Sequence, residues 1–166
     1  PVLNISNSSG SFVGKKVNEF TREYNNIHFA VNSSAQKLAK INQSIAEADS
    51  EYNAVINTIE AKLQAGTTPS NPDLVAALNK AQKNLGTLED GTQKLASVAS
   101  EVAAQQEKST ALKSTVNATY AIPGAYDADH ADLNIIAAAL ERQENTNADL
   151  MAAVKADIAD EQNKAQ

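Results

Sequence analysis

A sustained seven-residue repeat between Val17 and Leu63 constrains this chain more than any other feature. With Val17 at position a, the a positions are Val17, Tyr24, Val31, Leu38, Ile45, Tyr52 and Ile59, and the d positions are Phe20, Ile27, Ser34, Ile41, Ala48, Val55 and Lys62. Ser34 is a polar interruption, and Lys62 ends the pattern before Leu63 takes over. A 3.5-residue apolar repeat keeps one stripe of a helix facing its neighbours over many turns, so this stretch predicts one long helix laid along partner helices. The flanking e and g positions decide how many partners there are. They include Ala30, Ala35, Ile56 and Leu63, where a two-stranded coil usually carries charge pairs. The stripe is therefore wide enough for three or more helices.

The rest of the chain divides at clear breakers. Residues 1–14, PVLNISNSSGSFVG, combine two glycines with clustered hydroxyls, which disfavour helix. A flexible N-terminal arm is expected there, with Val2, Leu3, Phe12 and Val13 as its contacts if it docks on a neighbouring subunit. The first helix is expected over about 15–65, with Gly66 as its C-cap. GTTPSNPD at 66–73 is a turn in which Asn71 and Pro72 read as N-cap and first position of the next helix. The second helix, about 72–118, has a predicted seam of Leu74, Leu78, Ala81, Leu85, Leu88, Thr92, Leu95, Ala99, Val102, Gln106, Ser109, Leu112 and Val116. Gly86 and Gly91 each cost about 1 kcal/mol against Ala, leaving open whether that helix is continuous. YAIPGAYDAD at 120–129 is a second turn. The third helix, about 128–161, carries Leu133, Ile136, Leu140, Leu150, Val154 and Ile158 around a polar gap at Gln143 and Thr146-Asn147. EQNKAQ at its end is expected to fray. The expected fold is all-α: an elongated antiparallel three-helix bundle with long coiled-coil-like helices over 15–166.

Short loops make successive helices antiparallel neighbours. Folding the chain about residue 69 places Tyr52 opposite Gly86, which reads the glycine as packing complementarity. It also places Ser34 opposite residues 104–106. Folding about residue 124 brings Gln106 to Arg142 and Gln143. The interruptions thus converge on one polar layer of Ser34, Gln106 and Gln143, joined by Ser109 and Asn147. The alternative is a widened bundle that admits water. The same folding brings Gln166 only to the level of Gln82 and Ile56. The hairpin tip, roughly 57–81, is then left with two helices and the apolar residues Ile59, Leu63, Leu74, Val75 and Leu78, with Ile56 at its edge. A two-helix tip cannot cover all of these, so they are the expected partner-binding residues. The outer face of the first helix is neutral (Asn18, Asn25, Asn26, Asn32, Ser33, Gln36, Gln43, Asn53), with Phe29 alone on it.

Composition closes off other classes of function. Aromatics are 4% of residues and Trp is absent, which suits thin seams between helices rather than a thick core. The net charge of -6 is spread without a basic patch, against the cationic footprint that nucleic-acid binding requires. There is no cysteine, hence no disulfide and no thiolate metal site or nucleophile. No apolar run is long enough to span a membrane, and the helices' polar faces lack the basic residues of a surface-lying helix. No signal peptide is visible, and Pro1 fits cytoplasmic synthesis with a trimmed initiator Met, with an exported or surface location as the alternative.

Candidate chemistry is sparse. The run Asp127, Asp129, His130, Asp132 fails the calcium-loop pattern because Ala131 and Asp132 stand where a ligand and a glycine are needed. Helix capping explains these aspartates. His28 lies at the edge of the seam with no triad partner. No phosphate-loop, dinucleotide, metalloprotease or nucleophile-elbow motif is present. Five Asn-x-Ser/Thr sequons, at Asn4, Asn7, Asn32, Asn42 and Asn117, are expected by chance in a chain this rich in Asn and Ser.

These readings predict no catalytic residue, cofactor or metal. They predict a non-enzymatic structural or assembly protein that works through self-association or contact with another protein. The alternative is a surface or secreted helical binding module that engages its partner through the hairpin tip. A ligand carrier using the polar layer is the remaining, weaker reading.

Overall fold

The computed structural model describes residues 1–164. It consists of three helices, α1 (Phe12–Gln64), α2 (Pro72–Thr119) and α3 (Asp127–Lys164), packed as an all-α three-helix bundle, with no strand among the described residues. No helix among them is long and apolar enough to cross a membrane. The expectations placed on Ala165 and Gln166 lie outside the described residues. Two compact units can be recognised, each built from a stretch of all three helices. The first comprises Pro1–Gln36 and Val98–Ala156; the second comprises Lys37–Ser97 and the end of α3 from Asp157.

The helix ends follow from local chemistry. The Ser11 hydroxyl accepts the Gly14 N–H at 2.8 Å and caps α1. At the other end Gly66 adopts φ +81°. The Thr67 N–H bonds to the Lys62 carbonyl and the Gly66 N–H to the Leu63 carbonyl, the Schellman arrangement that glycine permits. Asn71 Oδ1 accepts the Asp73 N–H and starts α2. In α3 Asp129 reaches back to accept the Tyr126 N–H at 2.9 Å, the return half of a capping box.

Along α1 the a and d residues from Val13 to Ile59 are buried, with Tyr52 half-buried. In the first unit Val13, Val17, Phe20, Tyr24, Ile27 and Val31 pack with Leu112 and Val116 of α2 and with Leu133, Ile136, Ala139 and Leu140 of α3. α1 and α3 are parallel. In the second unit Asn42 meets Asp157 and Asp49 meets Lys164, both pairs 115 residues apart. Lys164 also bonds Glu161 at 3.2 Å, so within the stretch expected to fray, Glu161 and Lys164 are held.

Three expectations are corrected. The first concerns the seam of α2, a helix that runs unbroken through both glycines. Its buried line between Leu74 and Leu95 runs through Ala81, Asn84 and Gly91; Leu78 and Leu85, placed in the seam by hydropathy, are exposed. A stripe broad enough for two neighbours leaves one flank open wherever only one neighbour is present.

The second concerns Gly86. It is exposed, with nothing within 4 Å of where a Cβ would stand, so it does not accommodate Tyr52. Gly91 is the packing glycine: a Cβ there would come within 2.7 Å of Ile45 Cγ1. Gly86→Ala is therefore expected to raise stability by roughly 0.5 to 1 kcal/mol through helix propensity alone. Gly91→Ala is expected to lower it, because overpacking costs about 1 to 3 kcal/mol and outweighs that gain. Urea midpoints of the two variants check this; shifts of the same sign would refute the assignment.

The third concerns the N-terminus. The expected flexible arm over 1–14 is, over residues 1–11, a strap laid against α1 and α3, with α1 beginning at Phe12. Leu3 and Ile5 pack against the first unit's core. Asn25 and Asn18 satisfy the main chain of Leu3 and Asn7, and Asp129 and Asp132 take the polar side chains of Asn7, Ser9 and Ser11.

Candidate functional site

The hairpin tip belongs to the second unit. Val55, Ile59, Leu74 and Ala81 form its buried cluster, with Tyr52, Ile56 and Ala77 packed against them. Of the six residues expected to face a partner, Ile59 and Leu74 are thus internal and Ile56 is half-buried. The other three are open: Leu63 is 54%, Val75 41% and Leu78 45% exposed, and Leu85 joins them at 44%. The spacing of Val75, Leu78 and Leu85 puts them on one flank of α2. Ile56 and Leu63 hold the e flank of α1.

Leu85 also lines a groove with Tyr52, Leu88, Thr92, Glu161 and Lys164, where α3 reaches Asp49. Upstream in this unit the e positions of α1 face α3, as Asn42 and Asp49 show. Nearer the tip the same line of positions has no third helix over it among the described residues. Leu85 was legible only as a core residue; it is exposed because the buried line of α2 passes through Ala81, Asn84 and Gly91 instead. Asn84, buried with no hydrogen-bond partner for its Nδ2, gave no signal in the sequence.

The polar layer lies in the first unit. Asn147, fully buried, is its hub. Its Nδ2 donates to Gln106 Oε1 at 2.9 Å and to Ser109 Oγ at 3.2 Å. Its Oδ1 accepts from Gln143 Nε2 at 2.8 Å. Gln143 Oε1 in turn accepts from His28 Nδ1 at 3.1 Å, which assigns the proton to that nitrogen. His28 Nε2 is left to accept from Asn32 Nδ2 at 3.2 Å. Donors and acceptors thus point one way, from Asn32 through His28, Gln143 and Asn147 to Gln106 and Ser109. Ser34 goes elsewhere: its hydroxyl donates to Glu101 at 3.0 Å. The structure therefore joins Gln106 and Gln143 through Asn147 and bonds Ser34 separately. His28, read from sequence as a residue at the seam's edge, is a working member of the chain.

A second polar cluster holds the strap. Asp129 is buried and accepts from Ser11 Oγ at 2.6 Å, Ser9 Oγ at 2.7 Å and Asn7 Nδ2 at 2.8 Å, besides the Tyr126 N–H. The Ser11 hydroxyl foremost, with Ser9, Tyr126 and Asn7, holds its carboxyl well below the usual carboxylate range, against the opposing effect of desolvation. Asn7 Nδ2 also reaches Asp132 at 2.9 Å. The aspartates read as caps thus also anchor the N-terminus. Asn18 and Asn25, read as neutral outer-face residues, bind the strap's main chain.

Among the described residues no three His, Asp or Glu side chains converge so as to hold a metal ion. Comparison with known proteins finds no matching family, no matching curated sequence and no matching solved structure.

Proposed function

We propose that this is a non-enzymatic structural or assembly protein that associates with copies of itself through the two-helix tip. The observation that carries this reading is the exposed set Leu63, Val75, Leu78 and Leu85, the last of which lines a groove with Glu161 and Lys164 of α3. These residues extend the side of the α1–α2 pair that α3 covers farther upstream, so a helix is the shape that fits. A second copy's tip is the preferred occupant: two helix pairs, each open on one side, close on one another as a four-helix arrangement about a two-fold axis. The main alternative is a surface or secreted binding module whose tip takes a helix of another protein by the same contacts.

Light scattering across a concentration series tests the proposal. The native chain should show a mass that rises with concentration to a multiple of 17.5 kDa. Leu78→Asp with Leu85→Asp should return it to monomer, weakening association by about 30-fold or more per residue if each is a central contact. Because both leucines are exposed within the chain, circular dichroism of the variant should be unchanged. A monomer at every concentration would overturn self-association. If the same variant then lost binding to another protein, the binding-module reading would replace it.

A further inference from the structure

We infer that the face of α1 bearing Asn18 and Asn25, together with Asp129 of α3, is a docking site for an extended polypeptide segment, and that residues 1–9 of a second copy fill it when copies associate. The inference rests on the self-association proposed above and adds a second contact to it. Along the strap, Leu3, Ile5, Asn7 and Ser9 are half-buried, whereas Val2, Asn4, Ser6 and Ser8 are exposed. This is the two-residue alternation of an extended chain. Two identical clamps hold it. Asn25 Oδ1 accepts the Leu3 N–H and Asn25 Nδ2 donates to the Leu3 carbonyl, both at 2.9 Å. Asn18 does the same for Asn7, again with both bonds at 2.9 Å. Each clamp satisfies the donor and the acceptor of one residue, so it reads main chain, as strand-addition sites do. Asn7 and Ser9 then add side-chain selectivity through Asp129. Gly14 makes room: a Cβ there would collide with Asn7 Oδ1 and Ser9 Oγ.

The strap can leave its berth as one piece. Its bonds to itself are confined to the turn, where Ser9 N–H reaches Asn7 Oδ1 and Ser11 contacts Ser9. The tie to α1 passes through Gly10, which is exposed at φ +78° with nothing within 4 Å of its Cβ position. Straightening that turn frees residues 1–9 from their own helix. The same residues of a second copy then remake the two asparagine clamps and the bonds to Asp129, which is why segment exchange is a low-cost route to association.

The chain's lack of cysteine allows a direct test. Asn4 and Arg22 line one groove beside the strap. Full-length Asn4→Cys and Arg22→Cys chains, mixed at a concentration where the native chain associates and then mildly oxidised, should give a 4–22 heterodimer several-fold above either homodimer on a non-reducing gel. Gly14→Ala placed in the Arg22→Cys chain should reduce that product several-fold. The double variant Asn4→Cys/Arg22→Cys tests the berth itself. If it closes only within one chain, and the mixed single variants give no excess heterodimer, exchange is overturned. If it forms no 4–22 disulfide at all, the docking site falls too. A native oligomer without the heterodimer would sink exchange and leave the tip reading standing, whereas a native monomer at every concentration would sink both.

Discussion

Asn147→Ala should destabilise the chain by about 3 kcal/mol, the sum of a lost buried side chain and the polar groups it strands. Asn147 is fully buried and is the link between α3 and α2 in the polar layer. Removing it leaves Gln143 Nε2 without its acceptor and Gln106 Oε1 and Ser109 without their donor. A buried donor or acceptor without a partner costs about 1 to 3 kcal/mol. Asn32→Ala, at the exposed outer end of the same chain of bonds, should shift stability by less than about 0.5 kcal/mol. Urea denaturation of both variants, with m unchanged, reads the difference. A loss below about 1 kcal/mol for Asn147→Ala would mean that water replaces the amide, the widened-bundle alternative.

Leu140→Ala is expected to cost about 4 kcal/mol, near the upper end for a buried leucine. Leu140 is fully buried among the side chains of the first unit's core, beside Ile136 and Ala139. Enclosure on all sides keeps the cavity from collapsing, and it is the residual cavity that raises the penalty above simple transfer. Leu78→Ala makes the contrast: Leu78 is 45% exposed, so its loss should change monomer stability by under about 0.5 kcal/mol. Calorimetry at low concentration separates them. Equal losses would mean that Leu78 is covered within its own chain, removing the tip surface on which the proposed function rests.

Much of the fold was legible because it is local. The a and d residues of α1 describe one face of one helix, and that face is the buried one from Val17 to Ile59. Gly66, Asn71 and Pro72 mark their helix ends through chemistry that reaches only a few residues. The phase of α2 was harder to read. Its leucines at 78 and 85 looked like core, yet the seam takes Asn84 and Gly91, because Ile45 fills the space against the glycine. Hydropathy ranks side chains by their dislike of water and is blind to the room a neighbour needs.

The polar layer was half legible for the same reason. Polar residues at seam positions of three helices were visible one helix at a time. That Asn147 and not Ser34 joins Gln106 to Gln143 depends on the register between helices, to within a single turn. Of the N-terminal stretch, only the chance that Leu3 and Val13 make contacts was legible, and not where on the chain's own helices the strap lies. Its partners Asp129 and Asp132 lie 118 to 125 residues away, and a stretch of Asn, Ser and Gly reads as unstructured until a buried carboxylate is there to receive it.

By itself, then, the sequence determined three long helices, the two turns that separate them, and which stripe of α1 turns inward, because periodicity and capping are properties of neighbouring residues. Only the tertiary structure decided which flank of α2 stays open, which amide unites the polar layer and where the N-terminus lies. Those outcomes depend on which side chains from distant segments meet, and no local pattern carries that.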